Sequence, residues 1–130
     1  SEFTALRDSI SLCPTYLQEA IEKDHELRVT IIGDRLFNCR IDSQGVEGAE
    51  QDWRAVDTIK LPHRIEPLEP KVDAALRAYL SHCGLRFGAF DLIVTPEGEH
   101  VFLELNPNGQ WYWVELATKA PMAEAMADLL

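Results

Sequence analysis

Two carboxylates and an amide, Asp91, Glu104 and Asn106, are the side chains whose types and spacing could do chemistry. They flank a turn. Phe90 to Val94 and Val101 to Asn106 read as two β-strands joined through Pro96-Glu97-Gly98, with β-branched and aromatic residues on both sides. With a two- or four-residue loop, Leu92 faces Leu103, Phe90 faces Leu105 and Val94 faces Val101, so one face of the hairpin is wholly apolar. A three-residue loop with a glycine bulge also suits Pro-Glu-Gly, but a one-residue slip would mix apolar and charged residues on both faces. The first register sets Asp91 opposite Glu104, with Asn106 one step further along the same face. Directly opposed like charges destabilise a sheet and call for water, a shared proton or a cation. Asp, Glu and an amide carbonyl form a hard, all-oxygen donor set that suits Mg²⁺ better than zinc. The competing reading is a solvated outer face of an antiparallel sheet. Asn106-Pro107-Asn108-Gly109-Gln110, a loop of amides directly after the last carboxylate, favours the metal.

The elements that must position these residues fit in one domain of 130 residues. A formal net charge of −10 argues against DNA, RNA or an anionic membrane as partner. No apolar run approaches membrane-spanning length, and Ser1 to Leu12 lacks a signal-peptide layout. Cys13, Cys39 and Cys83 are odd in number and widely spaced, which points to no disulfide framework and to a reducing cytoplasm. His25, His63, His82 and His100 do not cluster, so neither a histidine metal site nor a triad is expected.

Along the chain, a lead-in (residues 1–14) contains a weakly amphipathic stretch, helical or irregular, that Cys13-Pro14 breaks. Thr15 to Ile21 reads as a short strand and Glu22 to His25 as a turn. Glu26 to Ile32 alternates and is β-branched, Gly33-Asp34 reverses it, and Leu36 to Gln44 alternates again. Glu26 and Arg28 share a face of that first strand, where Arg28 is either a cross-strand charge partner or a forked phosphate contact. Gly45 to Gln51 is a loop closed by Asp52-Trp53-Arg54, with Arg54 paired to Asp52 or aimed at a ligand. A proline-rich linker from Leu61 leads into a helix over Pro67–Cys83. Its Leu68, Val72, Ala75, Leu76, Tyr79, Leu80 and Cys83 face one way, and Gly84 closes it. Trp111 to Val114 is an aromatic cluster. Met122, Ala125, Met126, Leu129 and Leu130 lie on one side of a final short helix. The fold class expected is α+β: an antiparallel β-sheet of hairpins covered by helices.

Phe90-Asp91-Leu92, followed by Phe102-Leu103-Glu104-Leu105-Asn106-Pro107-Asn108-Gly109-Gln110-Trp111, resembles the C-terminal half of an ATP-grasp carboxylate–amine ligase. Gln18-Glu19-Ala20-Ile21, Glu26-Leu27-Arg28-Val29 and Asp52-Trp53-Arg54 make it similar to the microviridin-type (graspetide) maturases that cross-link ribosomal peptides. The resemblance covers residues 15–130 and implies ATP and Mg²⁺ as cofactors. It implies that Asp91, Glu104 and Asn106 hold the metal, that Arg54 and Arg28 reach phosphate oxygens, that Glu19 and Ala20 contact adenine, and that Glu26 contacts ribose. The implied reaction phosphorylates an Asp or Glu side chain of a precursor peptide (leader plus core) and forms an ester or amide cross-link. A glutamate-adding ligase and a non-catalytic acidic binding module are the alternatives. The resemblance further implies that the nucleotide-gripping lysines come from an N-terminal half preceding Ser1, without which this piece turns over no ATP; self-association is left open. Lys119 and Ala20 depart from the pattern, the first standing where a small turn residue is expected.

Overall fold

Alternation and β-branching build β1 (His25–Ile32), and Gly33-Asp34 turns the chain into β2 (Arg35–Ile41). Gly33 adopts φ 57°, which lets two residues close the hairpin with Ile32 opposite Arg35. Then follow β3 (His63–Ile65), α1 (Pro70–His82), β4 (Phe87–Val94), β5 (His100–Asn106), α2 (Tyr112–Thr118) and α3 (Met122–Leu129). The computed structural model describes residues 14, 18–44, 46 and 61–130. The expected helical or irregular lead-in and the Asp52-Trp53-Arg54 loop end lie outside the described residues.

The strands form one antiparallel sheet in the order β3-β2-β1-β4-β5. Its centre is β1, buried along all 8 residues. On one face Leu27, Val29 and Ile31 join Phe90, Leu92 and Val94 beneath Leu76 and Leu80 of α1. On the other, Ile32, Phe37, Cys39 and Ile41 pack under Val114 of α2 and Met122 and Ala125 of α3. The α+β class expected from the sequence is the class observed, and no helix among the described residues is long and apolar enough to cross a membrane.

Several expectations need correction. Residues 18–21 are not a strand; they run irregularly toward β1. The proline-flanked stretch after Leu61 hides β3, whose three residues pair with β2 between Pro62 and Pro67. Helix α1 begins at Pro70, a residue whose missing N–H suits a first turn. Ala75, Tyr79 and Cys83 are exposed, so the buried stripe narrows to Leu76 and Leu80, flanked by Val72. Gly84, at φ 68°, does close α1: its N–H bonds to Ser81 O, and the Leu85 N–H to Leu80 O. Leu130 is fully exposed and takes no part in the α3 packing.

Two local features are testable. His63 stands edge-on to Trp113 with ring centroids 5.4 Å apart, and burial pulls its pKa below 6.5, partly offset by Leu61 backbone and Asp42. An unfolded chain binds that proton first, so this contribution is complete above pH 6.5 and is lost as pH falls toward the lower folded value. Urea midpoints of the wild type should fall through that window, and His63→Asn should flatten the fall. Lys119 closes α2 at φ 64°, its N–H donating to Glu115 O at 2.7 Å. That conformation costs a non-glycine residue about 1 kcal/mol or more. Lys119→Gly should therefore raise stability by about 1 kcal/mol, seen as a higher melting temperature.

Candidate functional site

The β4–β5 hairpin carries the carboxylates, and its register decides where they point. Five residues, Thr95 to Glu99, form the turn, leaving Val94 opposite His100. The Gly98 N–H bonds to Thr95 O, the Glu99 N–H reaches Thr95 Oγ1, and Gly98 takes φ 85°. From the turn, Ile93 pairs with Val101 and Leu92 with Phe102, not with Leu103 as expected. A bulge between Asp91 and Leu92 then leaves Leu103 as the extra residue of β5, after which Asp91 faces Glu104 and Phe90 faces Leu105. The five-residue turn shifts the ladder by one, and the bulge shifts it back. Asp91 and Glu104 consequently emerge from one side of the sheet, as the sequence register requires. Phe102 falls on the opposite, apolar face against Phe90 and Tyr79, with centroids 6.4 and 5.6 Å away.

Arg28 is the Cα partner of Asp91 across β1 and β4. Its Nη1 donates to Asp91 Oδ1 at 2.7 Å and to Oδ2 at 2.9 Å, and its Nη2 donates to Gln110 O at 3.0 Å. Arg28 and Asp91 are 6% and 5% exposed, so their pairing is far less screened than a surface ion pair. Of the two roles open to Arg28 in the sequence, the geometry displays the cross-strand charge partner. One guanidinium thereby ties a central strand, a carboxylate and the loop after β5. Asn106, which pairs with Ala89, begins that loop; its Oδ1 accepts the Asn108 N–H at 2.9 Å and keeps a second lone pair. Glu104 and Asn106 are exposed. Among the described residues no group of three or more His, Cys, Asp or Glu gathers, so an ion here would need the Asn106 amide as its third ligand.

Beside this row, a cleft of about 480 Å³ is walled by Glu19, Ala20, Ile21, Lys23, Ile93 and Leu103. Glu19 and Ala20, singled out in the sequence, thus meet the carboxylate face of the hairpin. Ile93 and Leu103 were missed there; the sign was an apolar residue on the charged face and the bulge that turns Leu103 toward it. Glu26, a partner of Ile93 across β1 and β4, is buried at 6% exposure with its Oε1 bonded to Lys23. Arg54 lies outside the described residues. Cys39 is no nucleophile: burial pushes its thiol up to about 12, although the Arg28 charge pulls the other way.

The loop fits around Arg28 only because residue 109 lacks a side chain. A Cβ there would lie 2.6 Å from Ala89 Cβ and 3.1 Å from Arg28 Nη2. Gly109→Ala should destabilise the fold by about 1–3 kcal/mol, the usual cost of overpacking. Urea unfolding checks this, and an unchanged midpoint would show that the loop adapts freely.

Neither a family model nor a curated protein matches the chain. Solved structures do. A RiPP-associated ATP-grasp ligase of Chryseobacterium gregarium is 34% identical with TM-score 0.84, over 95% of this chain and 38% of its own. The macrocyclase MdnC of Microcystis aeruginosa is 35% identical with TM-score 0.79, over 99% of this chain and 40% of its own. MdnB, from the same organism, is 31% identical with TM-score 0.68, over 96% and 43%. The ligase PsnB, at 20% identity and TM-score 0.65, shares the fold. The chain spans about two-fifths of the length of the first three relatives. In fold and in sequence, then, the chain is similar to the corresponding part of the RiPP-associated ATP-grasp ligase of Chryseobacterium gregarium and of the macrocyclases MdnC and MdnB.

Proposed function

We propose that the protein to which this chain belongs is an ATP-dependent ligase acting on a ribosomal precursor peptide, and that this subdomain supplies its nucleotide and metal face. The observation that carries the reading is the emergence of Asp91 and Glu104 from one side of the hairpin, next to the cleft walled by Glu19 and Ala20. Two similar proteins lend support: the Chryseobacterium ligase was solved with ADP and with leader and core peptides, and MdnC with its precursor peptide. PsnB was solved with Mg and ADP.

Asp91, Glu104 and Asn106 would hold Mg²⁺. The donor chemistry fits, since carboxylate and amide oxygens are the hard ligands such an ion takes, and two opposed carboxylates gain from a cation between them. When bound, the ion would neutralise charge on the polyphosphate. Arg54 is assigned to phosphate oxygens. Arg28, engaged with Asp91 and Gln110 O, is assigned to holding that carboxylate and the loop after β5 in place. Glu19 and Ala20 would border the base, and Glu26 the ribose. In the reaction, a peptide Asp or Glu carboxylate attacks the γ-phosphorus of ATP and releases ADP. A Ser or Thr hydroxyl, or a Lys amine, of the same peptide then attacks the acyl carbon, loses its proton and expels phosphate. Ester or amide rings result, each at the cost of one water from the peptide.

Mg²⁺-dependent binding of a non-hydrolysable ATP analogue to the full-length protein tests this. Asp91→Asn and Glu104→Gln should each weaken it by at least about tenfold, since losing even an outer partner of a metal ligand costs that much. Binding that ignores both substitutions would leave a non-catalytic acidic module. Mass spectrometry of a peptide encoded nearby separates the two enzyme readings: ring closure subtracts water, whereas glutamate addition increases mass.

A further inference from the structure

The walls of the cleft come from chain segments at the open end of the β1–β2 hairpin. Residues 18–23 lead into β1 and Gln44 follows β2, while Ile93 and Leu103 close the third side. The β1–β2 ladder ends at the pair of Glu26 and Ile41, short of both segments. Toward β4 the first segment is held by backbone, the Asp24 N–H donating to Val94 O at 2.8 Å. Toward β2 a side chain makes the link. Arg40 Nε donates to Asp42 Oδ1 at 2.6 Å, and its Nη2 donates to Asp24 Oδ2 at 3.3 Å. His25 stands between them, its Nδ1 2.7 Å from the same Asp24 oxygen and its Nε2 3.4 Å from Arg40 Nη1. One guanidinium thus holds the residue directly after one wall and the residue two before another. Burial alone would raise the Asp42 carboxyl, but Arg40 and Arg64 outweigh it and keep the group below its usual 3.8, ionised at neutral pH. The Arg40 and Asp42 side chains are 23% and 27% exposed, so this arm is screened less than a surface pair. Arg64 also meets Asp42, Nη1 to Oδ2 at 2.5 Å, and Glu66, Nε to Oε2 at 3.3 Å; those bonds lie on the β2–β3 side.

We infer that Arg40 is a positioning residue: its fork braces the segment entering β1 against the end of β2 and so fixes the spacing of the cleft walls that hold the nucleotide. This rests on the nucleotide reading of the cleft given above. Arg40 is not itself a wall of the cleft; it acts through Asp24 and Asp42. The chemistry suits the task. A planar guanidinium engages two carboxylates through different N–H groups and keeps them at a set separation, whereas a lysine ammonium is a point charge on a flexible stem. Positive charge without the fork neutralises the acids but does not brace them.

The test measures two quantities for each variant of the full-length protein: the affinity for a non-hydrolysable ATP analogue with Mg²⁺, by calorimetry, and the urea midpoint. Arg40→Met should weaken the analogue by about fivefold, the upper range for partly exposed ion pairs. Arg40→Lys, which keeps the charge and loses the fork, should restore the urea midpoint more than the affinity. Arg64→Gln takes the other arginine from Asp42 and leaves the segment before β1 untouched. It should lower the urea midpoint yet leave the affinity within about twofold of wild type. Asp24→Ala should weaken the analogue, and its penalty should not add to that of Arg40→Met, because both remove one brace. An affinity unchanged in Arg40→Met, or lost equally in Arg64→Gln, overturns the inference and leaves a structural ion network. Should Arg40→Met fold poorly, Asp24→Ala decides in its place, and an unchanged affinity there overturns the inference as well. A wild-type protein that does not bind the analogue overturns the nucleotide reading, and this inference with it.

Discussion

Parity in a β-ladder is the constraint on which the rest depends. Side chains alternate between faces, so a displacement of one residue moves a carboxylate from one side of the sheet to the other. The five-residue turn after Val94 would, in an unbroken ladder, place Asp91 opposite Leu103 and send Glu104 into the layer beneath α1. The extra residue at Leu103 reverses that. It brings Glu104 to the side of Asp91 and at the same place lines the cleft with an apolar side chain. One bulge thus prepares both halves of the site, the apolar wall and the acidic row.

Arg28 then makes the row tolerable. An aspartate at 5% exposure opposite a glutamate is a poor choice for a sheet unless positive charge is supplied. The guanidinium supplies it from the most buried strand, so the charge and the scaffold are one element. Because the same group also holds the Gln110 carbonyl, the loop that starts at Asn106 is fastened to β1 and not merely appended to β5. Gly109 is the other half of that fastening: the loop packs against Ala89 at a distance no side chain permits. An arginine of this kind contributes to a site by geometry, whether or not it meets the ligand.

Much of this was legible in the sequence, and what was not has identifiable causes. The alternation from Glu26 to Ile32, the Gly33-Asp34 turn and the Gly84 cap are local signals, and they hold. The opposition of Asp91 and Glu104 was legible because placing apolar residues on one face leaves few registers. Its derivation was incomplete, since the turn after Val94 holds five residues where the expected register needs six, and the bulge at Leu103 supplies the missing one. Strand β3 was not legible: three residues between prolines carry no periodicity, and they pair only because β2 has a free edge. Tyr79 follows the helical spacing of Leu76 and Leu80 but is left at the rim, where Phe102 meets it. The Lys23–Glu26 pair escaped notice for a similar reason. Three residues separate them, but the chain between is a bend entering a strand, so neither helix nor strand spacing applies.

The distribution of burial explains why such a site can exist without undermining the fold. One face of the sheet is apolar from β1 to β4 and is sealed by α1; the other is apolar only where β1 and β2 meet α2 and α3. Those two layers supply the hydrophobic stabilisation. The remaining quarter, the β4–β5 side of the second face, is where the carboxylates, the amide loop and the cleft are found, and β5 is an exposed edge strand. Opposed acids, a buried ion pair and an unmet carboxylate oxygen of Glu26 all lower stability, and they lie on the second face of the sheet, away from the layer that α1 seals. Natural folds break local rules where function requires it. Here the opposed acids, the buried ion pair and the unmet carboxylate oxygen lie on the same side of the same hairpin or on the strand beside it, which is itself an argument that these exceptions serve one purpose.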